Sequence, residues 1–220
     1  MGEPAGPPGP AAAPLLIACA LGIEQLALRT GRSRADKAPG PVTVLRTGMG
    51  PQAAETAVAR ALGEGRAFGA AVIASGFCAG LTPGMHPGDL VVADETRFAG
   101  ESTACTGTEL LADALARALP GRTVHTGPLT GSDHVVRGHE RAELRTAGAI
   151  AVDMESAATL RTALRSGPRP VAAVRVVVDA PQHELVRIGT VHGGISAFRV
   201  LRAVLPAFYE WHRSLLLPRR

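Results

Sequence analysis

Short apolar runs alternate with amphipathic segments along most of this 220-residue chain. The runs are continuous and partly β-branched, as expected for strands covered on both sheet faces, and they lie at 15–20, 42–46, 70–74, 89–93, 149–154 and 171–178. The other segments place apolar residues at helical spacing with Arg and Glu on the outer face, and they lie at 52–62, 108–119, 139–147 and 155–166. This alternation predicts an α/β fold, a three-layer sandwich with a mixed central sheet.

The two ends of the chain differ in character. Residues 1–14 are rich in Pro, Gly and Ala and lack the basic and apolar regions of a signal peptide, so we expect a disordered tail. A last helix is predicted from just after Gly194 to about Leu217, with a break at Pro206 because proline lacks the helical N–H donor. No linker divides residues 15–220, which are predicted to form a single domain. No apolar run reaches the roughly 18 residues of a transmembrane segment.

Composition excludes several classes of protein. Hydrophobic residues make up 46% of the chain, too many for a disordered protein, whereas aromatic residues make up only 3%. Few rings and a net charge of +4 that is spread along the chain both argue against a nucleic-acid partner. The three cysteines are widely spaced, and the histidines show no HxH or HExxH spacing, so neither a disulfide nor a metal site is expected. We therefore expect a cytoplasmic protein.

A glycine turn between a strand and a helix is the first candidate binding element. Gly48 and Gly50, with Ala53 in the third place, satisfy a dinucleotide-binding pattern. That function needs an acidic residue at the end of the next strand, and the sequence there has none. The turn could still use exposed amides to bind an anion or a sugar hydroxyl. A turn that only lets the helix pack on the strand is an equally good interpretation.

Carboxylates at strand ends are the second candidate group. Asp153 and Glu155 lie where an apolar strand passes into a helix, a position that also suits carboxylates that offset the helix dipole. Asp179 closes the most apolar strand of the chain, and such surroundings favour the protonated form that a general acid needs. Glu24 follows the first strand, where an exposed carboxylate at a helix start is the commoner explanation.

Together these junctions resemble the nucleoside phosphorylase and nucleosidase superfamily, which includes methylthioadenosine/S-adenosylhomocysteine nucleosidase and futalosine hydrolase. The resemblance covers about residues 15–205 and is carried by residues 20–24, 48–50, 75–81, 88–94, 152–155 and 175–179. It implies a nucleoside phosphorylase-like fold and cleavage of the N-ribosidic bond of a purine nucleoside, with release of adenine.

The resemblance also implies roles for single residues. The residue matching Asp179 protonates or hydrogen-bonds N7 of the departing purine, and the one matching Glu155 binds the ribose hydroxyls. The residue matching Met154 packs under the sugar, and a glutamate matching Glu24 activates water in the hydrolytic members. These roles suit the chemistry, because cleavage builds positive charge on the sugar and negative charge on the base.

The sequence departs from the superfamily where phosphate and base bind. Phe77, after Gly76, replaces a serine found in many members, and an arginine of the phosphorylases falls at Ala74. Arginines elsewhere could provide a different phosphate site: Arg46, Arg137 or Arg175. Phosphate therefore remains a possible co-substrate beside water, and no other cofactor is expected. The aromatic residue that usually stacks on the base falls near Val135 and Val136, which predicts few rings around it.

The C-terminal segment suggests a substrate. Aromatic and basic residues at 208–213, followed by leucines at 215–217, give the chain its closest similarity to the hopanoid-associated phosphorylases. That similarity implies adenosylhopane, a lipid-linked nucleoside, as substrate, and a terminus that meets the membrane surface. A terminal helix packed on the core or on another subunit is the alternative, and we expect a homo-oligomer.

Two other functions are also consistent with the sequence. The enzymatic alternative is a nucleosidase acting on methylthioadenosine, S-adenosylhomocysteine or futalosine. The non-enzymatic alternative is a nucleotide-binding module that uses Gly48 and Gly50 only to hold phosphate.

Overall fold

A computed structural model describes residues 13–32, 38–64, 67, 69–180 and 190–216 of the chain. Most of the predicted tail, at residues 1–12, and Leu217 lie outside these residues. The strands are β1 Leu15–Cys19, β2 Val42–Arg46, β3 Ala71–Gly80, β4 Leu90–Phe98, β5 Glu101–Ala104, β6 Val124–Gly131, β7 Ala151–Asp153 and β8 Val171–Asp179. The helices are α1 Gly22–Arg32, α2 Pro51–Gly63, α3 Thr108–Ala118, α4 His139–Thr146, α5 Ser156–Arg165, α6 Thr190–Ala203 and α7 Leu205–Leu216.

The described strands form one mixed sheet in the order β2-β1-β3-β7-β6-β4-β5, and β8 pairs with both β3 and β4. Strands β1, β2, β3 and β8 are joined by parallel pairings, whereas β7 is antiparallel to β3 and β4 is antiparallel to β8. Because β6 also pairs with β4 and β7, five strands close into a ring: β3, β8, β4, β6 and β7. The sequence predicted a mixed sheet but not this closure.

Helices cover both faces of the sheet, which confirms the predicted α/β sandwich. Leu15 and Ile17 of β1 point into a cluster formed with α1, α3, α6 and α7. Leu16 and Ala18 of the same strand point into a second cluster formed with α2 and α5. Alternate side chains are therefore buried on opposite faces, which explains why the strand is apolar throughout.

Strands with polar residues escaped prediction. β5 and β6 were not predicted, because β5 is mostly exposed and β6 carries His, Thr and Pro among its few apolar residues. β3 continues to Gly80, beyond the predicted end at 74, and α1 was not predicted as a helix. The predicted break in the last helix is confirmed, since α6 ends at Ala203 and α7 begins at Leu205, beside Pro206.

The aromatic residues of α7 are part of the core. Phe208, Tyr209 and Trp211 are buried, and the Trp211 indole N–H donates to the Thr106 carbonyl at 2.8 Å. The expectation that these rings meet lipid is therefore wrong, and the alternative of a helix packed on the core is confirmed. In the described part of the chain, no helix combines the length and the apolar character needed to cross a membrane.

Candidate active site

A cavity of about 280 Å³ opens where β1, β3 and β8 end and where β7 passes into α5. Most of the side chains that the sequence singled out line it: Glu24, Phe77, Val135, Val136, Met154, Glu155 and Asp179. Its size lies near the lower end of small-molecule sites, which are typically about 300–1,000 Å³. The structure thus brings together residues that are up to 155 positions apart, from Glu24 to Asp179.

Glu24 is buried and held by backbone amides. Its Oε2 accepts hydrogen bonds from the Ala20 and Leu21 N–H groups at 2.9 and 2.8 Å, and its Oε1 accepts one from the Phe77 N–H at 2.8 Å. The explanation of an exposed carboxylate at a helix start is therefore wrong, since Glu24 is only 2% exposed. Three amide donors fix the carboxylate in one orientation at the cavity wall.

Gly76 allows this approach, although it is not one of the residues that line the cavity. A Cβ at this position would lie 2.4 Å from Glu24 Oε1 and 2.7 Å from Arg175 Nη1. Its φ of +147° is also a conformation that side-chain-bearing residues rarely adopt. Strand β3 can therefore pass between the carboxylate and the guanidinium only if this residue is glycine.

Arg175 lies beneath the cavity in an ion pair. Its Nη2 is 2.6 Å from Asp153 Oδ2, its Nε donates to Ser156 Oγ at 2.9 Å, and its side chain is 1% exposed. Asp153 also accepts the Ser156 N–H at the start of α5. Arg175 does not line the cavity, so the structure does not support it as a phosphate ligand. Its charge instead lies close to the carboxylates of Glu24 and Glu155.

Glu155 faces the cavity from the start of α5 and is 8% exposed. Its Oε1 accepts the Gly50 N–H at 2.9 Å. Burial raises the pKa of Glu155, and the neighbouring Asp153 adds to this, whereas the positive charge of Arg175 opposes it. A carboxylate that only offsets the helix dipole would not need this hydrogen bond, which joins α5 to the glycine turn before α2.

In the glycine turn, the amides of both candidate glycines donate to groups of the protein itself. The Gly50 amide is taken by Glu155, and the Gly48 amide donates to the Ala20 carbonyl at 3.2 Å. A carboxylate of the protein thus occupies the N-terminal end of α2. Arg46 and Arg137 are exposed and do not line the cavity. Arg46 and Gly48 instead line a neighbouring pocket, which shares Ala20, Leu21 and Met49 with the cavity.

Asp179 has a partner that sequence reasoning missed. Asp179 Oδ2 forms an ion pair with Nη2 of Arg141, whose Nε donates to the Val136 carbonyl at 3.2 Å. Both side chains line the cavity. An ion pair stabilises the carboxylate, so the surroundings differ from the apolar ones expected for a protonated acid. In this contact Asp179 acts as a hydrogen-bond acceptor.

Met49 and His134 are among the side chains that line the cavity without having been predicted. Met49, in the glycine turn, is 68% exposed, and Val135 beside the cavity is 63% exposed, whereas Val136 is buried. His134 also lines the cavity, and its hydrogen bonds to Asp133 and Glu140 raise its pKa. The sequence held no signal for His134, because a histidine in a polar loop is typically a surface residue.

The fold matches solved nucleosidases at low sequence identity. Methylthioadenosine/S-adenosylhomocysteine nucleosidase from Neisseria meningitidis, in complex with methylthio-immucillin-A, has a TM-score of 0.73 at 22% identity, covering 88% of this chain and 99% of that one. The Streptococcus pneumoniae enzyme has a TM-score of 0.71 at 20% identity, covering 90% and 98%. Futalosine hydrolase from Helicobacter pylori has a TM-score of 0.73 at 16% identity, covering 89% and 97%.

Family membership rests on a separate comparison. A search of curated proteins found no match. The family model of the phosphorylase superfamily, however, matches residues 24–206, which include every cavity residue predicted from the sequence. The chain therefore belongs to the phosphorylase superfamily and is an enzyme that cleaves N-glycosyl bonds.

Proposed function

We propose that this enzyme is a purine nucleosidase that uses water to release adenine. The observation that carries the proposal is the buried Glu24 carboxylate, fixed by three amides in the cavity that also holds Glu155 and Asp179. A fixed carboxylate that accepts from backbone amides is suited to orient a water molecule and to take its proton. Glu155 would bind the ribose hydroxyls, Met154 would pack under the sugar, and Asp179 would face the base.

The reaction balances with these groups. The C1′–N9 bond breaks, and its electron pair leaves with the purine as positive charge develops on the ribose. The water oxygen bonds to C1′, and Glu24 takes a proton from that water. The purine takes up a proton from solvent, which matches the one that Glu24 later returns. No step requires a metal ion or a cofactor, so the purified enzyme is expected to work without one.

The charges around the cavity favour water over phosphate. Glu24 and Glu155 are two of the four carboxylates that line the cavity, and they would repel a phosphate dianion placed under the sugar. Among the described residues, the only arginine that lines the cavity is Arg141, which is engaged with Asp179. The expected sugar product therefore carries a hydroxyl at C1′ and not a phosphate.

Product analysis tests this proposal. The purified enzyme is incubated with adenosine-type nucleosides, with and without inorganic phosphate, and adenine and the sugar product are quantified. We expect adenine release at the same rate in both conditions, with the sugar recovered as the free form. Release that requires phosphate would establish a phosphorylase. No release from any nucleoside would favour a nucleotide-binding module.

For the substrate, we propose a nucleoside with a large apolar 5′ substituent, as in adenosylhopane. The exposed side chains of Met49 and Val135 beside the cavity, together with Leu21 and Phe77, offer apolar surface for such a group. The names of the matched structures favour the alternative of methylthioadenosine, S-adenosylhomocysteine or futalosine. Comparing kcat/KM for these nucleosides with that for a lipid-linked one decides between the two proposals.

We propose a cytoplasmic homo-oligomer that reaches a lipid-linked substrate at the membrane surface. Sedimentation with lipid vesicles, with and without the lipid-linked nucleoside, tests the membrane association. Light scattering of the purified protein tests the oligomeric state.

A further inference from the structure

Two buried polar atoms at one end of the cavity have no hydrogen-bond partner among the residues that the structure describes. They are Nη1 of Arg141 and Oδ1 of Asp179, and each side chain is 11% exposed. The remaining polar atoms of both groups are engaged: Arg141 Nε and Nη2 contact the Val136 carbonyl and Asp179 Oδ2. One donor and one acceptor therefore remain on an ion pair whose two side chains line the cavity.

Leaving such atoms unpaired is costly. A buried donor or acceptor without a partner destabilises a protein by about 1–3 kcal/mol, and by more when the group is charged. A ligand that carries an acceptor beside a donor would satisfy both atoms at once. The pair can therefore bind a ligand edge on which an acceptor lies beside a donor.

We propose that Arg141 is a specificity-determining residue that, together with Asp179, binds the edge of a 6-aminopurine. In this arrangement Arg141 Nη1 donates to ring N7, and Asp179 Oδ1 accepts from the exocyclic amine. This inference rests on the proposed function, since it assumes that a purine occupies the cavity. It adds a residue from α4 to the base-binding end, where the sequence suggested only Asp179 and the two valines.

The donor–acceptor pattern distinguishes between purines. Adenine presents an acceptor at N7 and a donor at its 6-amino group, whereas 6-oxopurines present two acceptors along the same edge. The Asp179 carboxylate is an acceptor only, so it would face a second acceptor in a 6-oxopurine and repel it. Sites built to bind a particular polar group can reject analogues that lack it by large factors.

The guanidinium of Arg141 is also preorganised for this role. Its fork is fixed at one side by the Val136 carbonyl and at the other by Asp179, so little further ordering is needed when a base binds. A guanidinium does not give up its proton, but its charge beside N7 would stabilise the negative charge that the purine gains as the C1′–N9 bond breaks.

Binding of free bases tests the inference without requiring turnover. Dissociation constants of adenine, 7-deazaadenine and hypoxanthine are measured by calorimetry for the unmodified enzyme and for Arg141→Met. 7-Deazaadenine lacks only the N7 acceptor, so the ratio of its dissociation constant to that of adenine reports the proposed contact. We expect this ratio to be at least about 10 in the unmodified enzyme and to fall towards 1 in Arg141→Met, because a hydrogen bond to a charged group is lost.

Two further variants separate recognition from folding. Arg141→Lys keeps a positive charge beside Asp179 but has no second fork nitrogen, so it should fold and still lose most of the preference for adenine over 7-deazaadenine. Arg145→Met, one turn further along α4 and exposed, is the matched control and should leave the ratio unchanged. Folding is checked by thermal unfolding of each variant.

The possible outcomes are distinct. A ratio that stays the same in Arg141→Met and Arg141→Lys would overturn the inference, as would equal binding of hypoxanthine and adenine by the unmodified enzyme. If no nucleoside is cleaved but adenine binding still depends on Arg141, the proposed function fails while this inference stands. If adenine is released with unchanged base preference in both variants, the proposed function stands and this inference fails.

Discussion

At the scale of single residues, surroundings and not residue type separate the roles of the carboxylates. Glu24 accepts three backbone amides, Asp153 pairs with a buried arginine, and Asp179 pairs with Arg141. Three carboxylates that look alike in sequence thus have different surroundings: amides orient Glu24, an ion pair makes Asp153 structural, and Asp179 faces the ligand. Of these three, only Glu24 is held by neutral donors alone, which suits a base that must accept a proton.

The first prediction concerns that carboxylate. Glu24→Gln keeps the shape of the side chain but removes its capacity to take a proton from water, and its amide NH₂ group cannot accept from the backbone. We expect kcat for adenine release to fall by about 10²–10⁴-fold, the usual contribution of a general base. Adenine binding, which uses the other end of the cavity, should change little. An activity within threefold of the unmodified enzyme would contradict the assignment of Glu24.

At the scale of helices and strands, the buried strands could be predicted from the sequence. The distances between neighbouring helices and strands could not. Continuous apolar runs identified β1 and β8 because alternate residues of such strands are buried on opposite faces. Arg141 lies on α4, in which no residue is fully buried, so its sequence is typical of a helix facing solvent. Its contact with Asp179 depends on how the 132–138 segment places α4 against the end of β8, and local sequence patterns do not encode that distance.

The second prediction concerns β3. In Gly76→Ala, the new methyl group would overlap Glu24 Oε1 at 2.4 Å and Arg175 Nη1 at 2.7 Å. We expect Glu24 to lose its bond to the Phe77 amide, kcat to fall by about 10²-fold or more, and the free energy of unfolding to fall by about 1–3 kcal/mol. Steady-state kinetics and urea unfolding measure the two effects.

Gly84→Ala is the matched control for that variant. Gly84 also has a positive φ, of +85°, but nothing lies within 4 Å of the added carbon. The control should lose about 1 kcal/mol of stability through backbone strain and keep its activity. Equal losses of activity in both variants would show that strain alone, and not the displacement of Glu24, explains the effect of Gly76→Ala.

At the scale of the whole molecule, the C-terminal helices hold the sheet from one side. α7 packs against α3, where Trp211 donates to the Thr106 carbonyl and Arg117 pairs with Glu210. α6 approaches α1 so closely that a Cβ on Gly31 would lie 2.2 Å from the Arg202 carbonyl oxygen. The three aromatic residues of α7 are therefore part of the core, and composition alone could not distinguish this from a lipid-facing surface.

The third prediction concerns the stability of this assembly towards acid. His212 of α7 is 1% exposed, and in the described part of the chain neither of its ring nitrogens has a hydrogen-bond partner. Burial therefore lowers the pKa of His212 in the folded protein. In the unfolded chain the same group titrates near its ordinary value of about 6.5.

The sign of the pH dependence follows from that difference. Between about pH 6.5 and the lower pKa of His212 in the folded protein, the unfolded state binds more protons than the folded state. The free energy of unfolding therefore falls as pH falls through this range, with a slope of up to about 1.4 kcal/mol per pH unit from this group. His212→Leu removes the titration, and the variant should lose less stability between pH 7 and pH 5 than the unmodified protein. Urea unfolding at several pH values measures the difference, with His139→Gln at the exposed start of α4 as control. Parallel pH profiles for the unmodified protein and His212→Leu would show that His212 does not contribute, and that the acid sensitivity arises elsewhere in the fold.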